Sequence, residues 1–357
     1  MGVEPYTDVA THVRDELRRV WLRLEYQIRL GWRKETNVAG EEIVGPEDMG
    51  RLFSLARGAA LPDKDSGAEP VLEQWLAAHE HTEARIKATI EARVRSPLVD
   101  VIRTFNLSQR QWSTLVFALM PEVDPNLVQG YRYLARDATV RGLDGRLLAQ
   151  LVYDTPQTRS LMARDLSASS PLLRYRLLDL AGGAAPSDSL MFRRIRAATR
   201  LVYILDGGTL ELDPEVAEIA ELRWGPVSGA FPAVTVDRAT SALRSNDVVL
   251  AVQGQRGLGK KLLLQLATAH WNQRLLLVDS KRLAQLQLAA QQTMVRSVVR
   301  ELMLLDALPA FIDVDDANVV DSDRDAMPAF FDMFLDEWTG PVALTINRER
   351  MPRIHQR

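Results

Sequence analysis

The chain has 357 residues, 46% of them hydrophobic and 25% charged, and a net charge of −3; this composition builds a core, argues against disorder over most of the length, and leaves no overall basic footprint of the kind that marks a nucleic-acid binder. It has no cysteine, which excludes disulfides, thiolate zinc sites and cysteine nucleophiles. The histidines (His12, His79, His81, His270 and His355) show no metal-ligand spacing, since even His79 and His81 point to different sides of a helix.

The N-terminal stretch MGVEPYTDVATHVRDELRR lacks the apolar core of a signal peptide. No apolar run approaches the roughly 20 residues that span a bilayer. A cytoplasmic location with no membrane contact is expected.

Residues 6–35 read as one amphipathic helix, with Val13, Leu17, Val20, Leu24 and Ile28 as its apolar stripe, Trp21 and Trp32 flanking it, and arginines and acids on the other face. Gly40, Gly45 and Pro46 break it. A short helix over 47–56, a surface loop over 58–70 and a second long helix over 71–95 follow. These long helices pack within the chain or offer a docking or coiled element.

From Pro97 short helices are expected over 109–119, 126–136, 145–153, 155–166 and 171–179. Ser108 with Gln111 makes a capping box for the first. A loop over 181–186 precedes 192–206, where Arg193, Arg194, Arg196 and Arg200 run into an apolar segment; their spacing does not put all four on one helical face, and an ordinary solvated helix is the plainer reading. The short helices and β-like ending point to a helical domain with a wing. Residues 207–232 cross to the next domain.

From 247 the pattern alternates: strand 247–252, helix 260–270, strand 274–279, helical stretch 283–305, strand 309–313, helix 326–338, strand 341–346. Continuous apolar strands separated by helices predict a parallel sheet covered on both faces. The three predicted regions are 1–95, 96–232 and 233–357.

The first of these strands runs into Gly254, Gln255, Arg256, Gly257, Leu258, Gly259, Lys260 and Lys261, and a helix follows. This is strand–GxxxxGK–helix, the context of a P-loop NTPase. The glycines let the backbone turn with its amides inward, the amides and helix N-terminus make a concave phosphate site, and Lys260 reaches the phosphates as a point charge. The next position takes a Ser or Thr whose hydroxyl ligates Mg²⁺. Here it is Lys261, so ATP or ADP is the expected ligand while the place of Mg²⁺ stays open. Glycine-rich turns before helices also serve packing alone.

Asp313 ends an apolar strand where the Mg²⁺-associated carboxylate belongs, but Val314 stands where a water-activating Glu would follow. Asp315 and Asp316 come one and two residues later. They shift the register, cap the next segment or solvate a loop. Asn347 ends the fourth strand, beside the expected γ-phosphate; a strand-end Asn is also a common turn residue.

The order 254–261, Asp313, Asn347 resembles an AAA+ ATPase module: Walker A, Walker B, sensor 1. The resemblance covers roughly residue 234 onward. Upstream, Phe105–Ser108, Leu119–Pro125 and Arg196–Gly207 resemble the winged-helix region of large bacterial AAA+ proteins, some of which accompany contractile injection systems. In that group a degenerate first AAA+ module commonly precedes an intact one, and the losses at Lys261 and Val314 match it. The resemblance implies a ring-forming homo-oligomer, a protein partner for the N-terminal region and weak or absent hydrolysis. The chain stops at Arg357, before a lid, sensor 2 or second module, which leaves a fragment and a reduced relative both open. Two other functions stay open: a winged-helix DNA binder, motivated by Arg193, Arg194, Arg196 and Arg200, and a structural scaffold that binds no nucleotide.

Overall fold

The computed structural model describes residues 3–30, 68–181, 189–208, 210–245, 248–317 and 327–347. The expected helix over 47–56, most of the loops over 58–70 and 181–186, and Trp32 lie outside the described residues. The chain divides into two units, Met1–Gly208 and Thr209–Arg357.

In the first unit, helix α1 (Val9–Leu30) packs on α2 (Ala68–Glu91). Then come α3 (Pro97–Thr104), α4 (Gln109–Leu119), α5 (Leu127–Ala135), α6 (Gly145–Leu151), α7 (Pro156–Asp165) and α8 (Pro171–Arg174). Strands β1 (Leu178–Ala181) and β2 (Arg194–Ala197) pair antiparallel, and α9 (Thr199–Leu205) follows. The Ser108–Gln111 capping box forms, satisfying two amides that the helix start leaves unpaired. Asp144 caps α6 by accepting the Leu147 amide at 2.9 Å and bridges to Arg194. Thr155 caps α7. Short capped helices beside a hairpin are the helical domain with a wing that the pattern points to.

Three local readings are corrected. The helix expected over 171–179 ends at Arg174; Arg176 turns left-handed at φ 50°, and the chain leaves extended as β1. The four arginines of 193–200 do not share a helix, because β2 ends at Ala197 and α9 starts at Thr199.

The third correction concerns the buried face of α1, which is largely charged: His12, Glu16, Arg19 and Arg23 are buried beside Val20 and Leu24. Burial is tolerated because the charges are paired and hydrogen-bonded. Glu16 accepts from Trp112 Nε1 and from Arg19 Nε, both at 2.7 Å. Arg23 donates to Leu151 O at 2.8 Å and to Asp154 at 2.6 Å. These bonds tie α1 to α4 and to the end of α6.

The second unit is α/β. It begins with α10 (Pro214–Ala217), β3 (Ala220–Arg223) and α11 (Ala233–Leu243). Then come β4 (Val249–Gln253), α12 (Lys260–Ala269), β5 (Arg274–Asp279), α13 (Ser280–Ala284) and α14 (Leu288–Leu305). It closes with β6 (Ala307–Ile312), α15 (Ala329–Glu337) and β7 (Val342–Ile346). The sheet order is β3-β5-β6-β7-β4. β5, β6, β7 and β4 are parallel; β3, which lies in the stretch read as a crossing segment, adds antiparallel to β5.

Strand alternation splits the apolar runs between two cores. Leu308, Ala310 and Ile312 of β6 join Leu275, Leu277 and Ala343 under α11 and α12. Phe311 faces the other way into Phe330, Phe331 and Phe334 of α15, with ring centroids 4.8–5.8 Å apart. Such pairs add about 0.5–1.5 kcal/mol each beyond area burial. The site follows from the order: β7 lies between β4 and β6, and the carboxyl ends of parallel strands open one crevice.

Candidate functional site

The loop after β4 begins at Gly254, whose amide donates to Ile346 O at 3.1 Å and so holds it against the end of β7. Gly257 and Gly259 take φ of +85° and +78°, the left-handed region that a Cβ disfavours. A Cβ at Gly259 would also lie 3.1 Å from Phe231 Cζ. Gly259 precedes α12, so this turn delivers the chain into the helix N-terminus. Leu258 is exposed at the loop tip.

Lys260, first in α12, folds back over the loop. Its Nζ donates to Gly254 O at 2.8 Å, Gln255 O at 3.1 Å and Asn347 Oδ1 at 2.8 Å. Arg256 is exposed and pairs with Asp316 at 2.6 Å, which holds its guanidinium still more firmly protonated. Asp316 also accepts from Asn347 Nδ2 at 3.0 Å. The loop, the end of β6 and the end of β7 are thus joined by Lys260–Asn347–Asp316–Arg256.

Asp313 follows β6 in a left-handed conformation at φ 52°. Its amide donates to Thr345 Oγ1 at 2.7 Å, and Thr345 Oγ1 returns a hydrogen bond to its carboxylate at 3.2 Å. Val314 is fully buried, so the position after Asp313 brings no carboxylate to the crevice. A single 3₁₀ turn over Val314–Asp316 brings the next two acids back. Asp315, 2% exposed, accepts the Asn347 amide through both oxygens at 3.0 and 3.1 Å. Asp315 and Asp316 therefore belong to the strand tips rather than to a cap or solvated loop. Thr345 is the residue the sequence reading missed; a threonine in an apolar strand carries no distinguishing signal until its neighbour strand is known.

A cavity of about 390 Å³ opens beside the loop, lined among others by Arg256, Lys261, Asp279, Ile312, Asp313 and Asp316. Lys261 is exposed and has no hydrogen-bond or ion-pair partner among the described residues. The donor set does not fit magnesium. Magnesium in such sites leans on one or two protein oxygens plus phosphates and water. Here an ammonium replaces the hydroxyl, the Asp313 carboxylate expected near the metal is hydrogen-bonded by Thr345 Oγ1 at 3.2 Å, and Asp316 is committed to Arg256 and Asn347. Among the described residues no group of three or more His, Asp or Glu is placed to hold a metal.

In the first unit, α7 carries Gln157, Arg159, Ser160 and Arg164 on exposed positions. Of the arginines singled out from sequence, Arg200 is buried and donates to Gly208 O at 2.8 Å. Arg194 donates to Arg141 O at 2.7 Å, and Arg196 is exposed on β2. No helix among the described residues is long and apolar enough to cross a membrane.

A family model described as "Winged helix domain, variant" matches residues 1–222. No curated protein matches the chain.

Proposed function

The chain belongs to the winged helix domain, variant, family, and from that premise we propose that the winged-helix unit docks a macromolecular partner while the C-terminal unit binds a nucleoside di- or triphosphate at the 254–261 loop. The observation that carries the nucleotide reading is the convergence of Lys260, Asn347 and Arg256 on one crevice at the carboxyl ends of β4, β7 and β6. Lys260 would leave the Gly254 and Gln255 carbonyls for phosphate oxygens, and the loop amides and the start of α12 would supply the rest of the cradle.

Hydrolysis is weak or absent on this reading. Val314 is buried where a water-activating carboxylate would stand, and Asp315 is engaged by the Asn347 amide. The resemblance to a degenerate AAA+ module supports a regulatory or assembly role in a ring of like copies, with service to a contractile injection system as the setting it implies. Displacement of a fluorescent ADP analogue by unlabelled ATP or ADP tests the reading; an analogue that never binds removes it.

A second reading, DNA binding by the winged helix, is favoured by the exposed Arg159 and Arg164 of α7, which have no ion-pair partner among the described residues. They add to the arginines singled out from sequence, of which Arg200 is buried and Arg196 is exposed. Salt-sensitive retardation of duplex DNA, lost in Arg159→Ala/Arg164→Ala, supports it; no retardation at low salt eliminates it.

A further inference from the structure

A phosphate cradle of this shape ordinarily shares its ligand's charge with a divalent cation, and the residues here disagree with that. The position that should offer a hydroxyl offers Lys261, an exposed ammonium in the same cavity as Asp313 and Asp316. Asp316 already accepts from Arg256 at 2.6 Å and from Asn347 at 3.0 Å. Arg256 is paired with Asp316, so Lys261 is the added charge that would repel a divalent cation at the position it replaces.

We propose that the 254–261 loop binds its nucleotide as the free polyphosphate anion, with the Lys261 ammonium standing where magnesium would otherwise sit. The inference rests on the nucleotide reading of this site and specifies the form of the ligand. Three cationic side chains and a helix N-terminus face the ligand. Asp313 lines the same cavity as Lys261, and its carboxylate accepts from Thr345 Oγ1 at 3.2 Å. In a magnesium site the metal would stand between that carboxylate and the phosphates. Here Lys261 would, from the first turn of α12 and without a competing partner among the described residues. The same substitution removes the hydroxyl ligand and adds the charge that makes the metal unnecessary.

Calorimetric titration of the full chain with ADP and ATP, in EDTA and in excess Mg²⁺, tests this. Affinity is expected to agree between the two conditions within about threefold, and Lys261→Ser to weaken binding in EDTA by about tenfold while making it magnesium-dependent. Lys261 is exposed, so the variant keeps its fold, which an unchanged thermal midpoint confirms. Asp313→Asn gives an independent check. It strengthens binding in EDTA if the carboxylate faces free phosphates, whereas in a metal site it weakens binding in Mg²⁺. Binding that requires Mg²⁺ in the unaltered chain, or a Lys261→Ser variant that binds in EDTA as tightly as the parent, overturns this inference and leaves the nucleotide reading intact. No binding in either condition overturns both.

Discussion

Lys260 and Asn347 stand 87 residues apart in sequence and meet at 2.8 Å, Nζ donating to Oδ1, at the tips of two adjacent parallel strands. The contact depends on the strand order, since only with β7 beside β4 does the end of one reach the helix that follows the other. It also shares Lys260 with two loop carbonyls, so the lysine is held in place before any ligand arrives.

Groups that act as a unit lose their effects together. Asn347→Ala is expected to weaken ATP binding by about tenfold and Lys260→Ala by more, with the double variant no worse than Lys260→Ala alone. Additive losses would mean that Asn347 touches the ligand independently of Lys260.

Two glycines of the loop separate conformational strain from crowding. Gly257 and Gly259 are both left-handed, but a Cβ at Gly257 meets nothing within 4 Å, while one at Gly259 meets Phe231 at 3.1 Å. Gly257→Ala should cost about 1 kcal/mol of stability from the backbone alone, and Gly259→Ala measurably more. Equal shifts in denaturant midpoint would show that Phe231 yields freely.

Behind the sheet, Arg300 is buried in α14 and donates to Asp213 at 2.7 Å and Glu301 at 3.1 Å. Arg300→Met leaves two acids without this partner and is expected to destabilise the second unit by about 3–5 kcal/mol. A loss below about 1 kcal/mol by chemical denaturation would contradict that, since only exposed pairs behave so.

The charged face of α1 predicts acid sensitivity. Burial pushes the Glu16 carboxyl up, but Arg19, His12 and the Trp112 indole together outweigh it and hold it at about 2, below its ordinary 4.5. Burial, with Arg19 second, pushes the His79 imidazole down to about 4 from 6.5; Arg19 donates to its Nδ1, a bond that protonation abolishes. Both folded values lie below the unfolded ones, so each contribution is complete above the unfolded value and lost on acidification. Stability should decline from pH 6.5 to 4 through His79 and from 4.5 to 2 through Glu16. His79→Gln should flatten the upper window only; parallel pH curves for parent and variant between pH 6.5 and 4.5 would refute this assignment.

Legibility in the sequence followed the physics of each element. Continuous apolar strands such as 274–279 are readable because a strand buried on both faces has no alternative composition, and the structure places β5 at Arg274–Asp279. The Ser108 capping box was readable because its signal is local. The buried face of α1 was not. Periodicity counts apolar residues, and Glu16 and Arg19 are inside only because Trp112 and His79, far along the chain, satisfy them. β3 escaped because its Glu221 and Arg223 are exposed on an edge strand, where alternation over four residues is a weak signal. At the site, the loop spelled itself out. The contacts of Asp316 with Arg256 and Asn347 did not, since they arise from a turn after β6 and the order of three strands.

The most direct measurement is a calorimetric titration of ATP and ADP into the full chain and into Lys260→Ala. Saturable binding by the parent that is lost or at least about tenfold weaker in the variant is the predicted result. A variant that binds as tightly as the parent, or a parent that binds neither nucleotide, would contradict it and leave the loop of 254–261 as architecture.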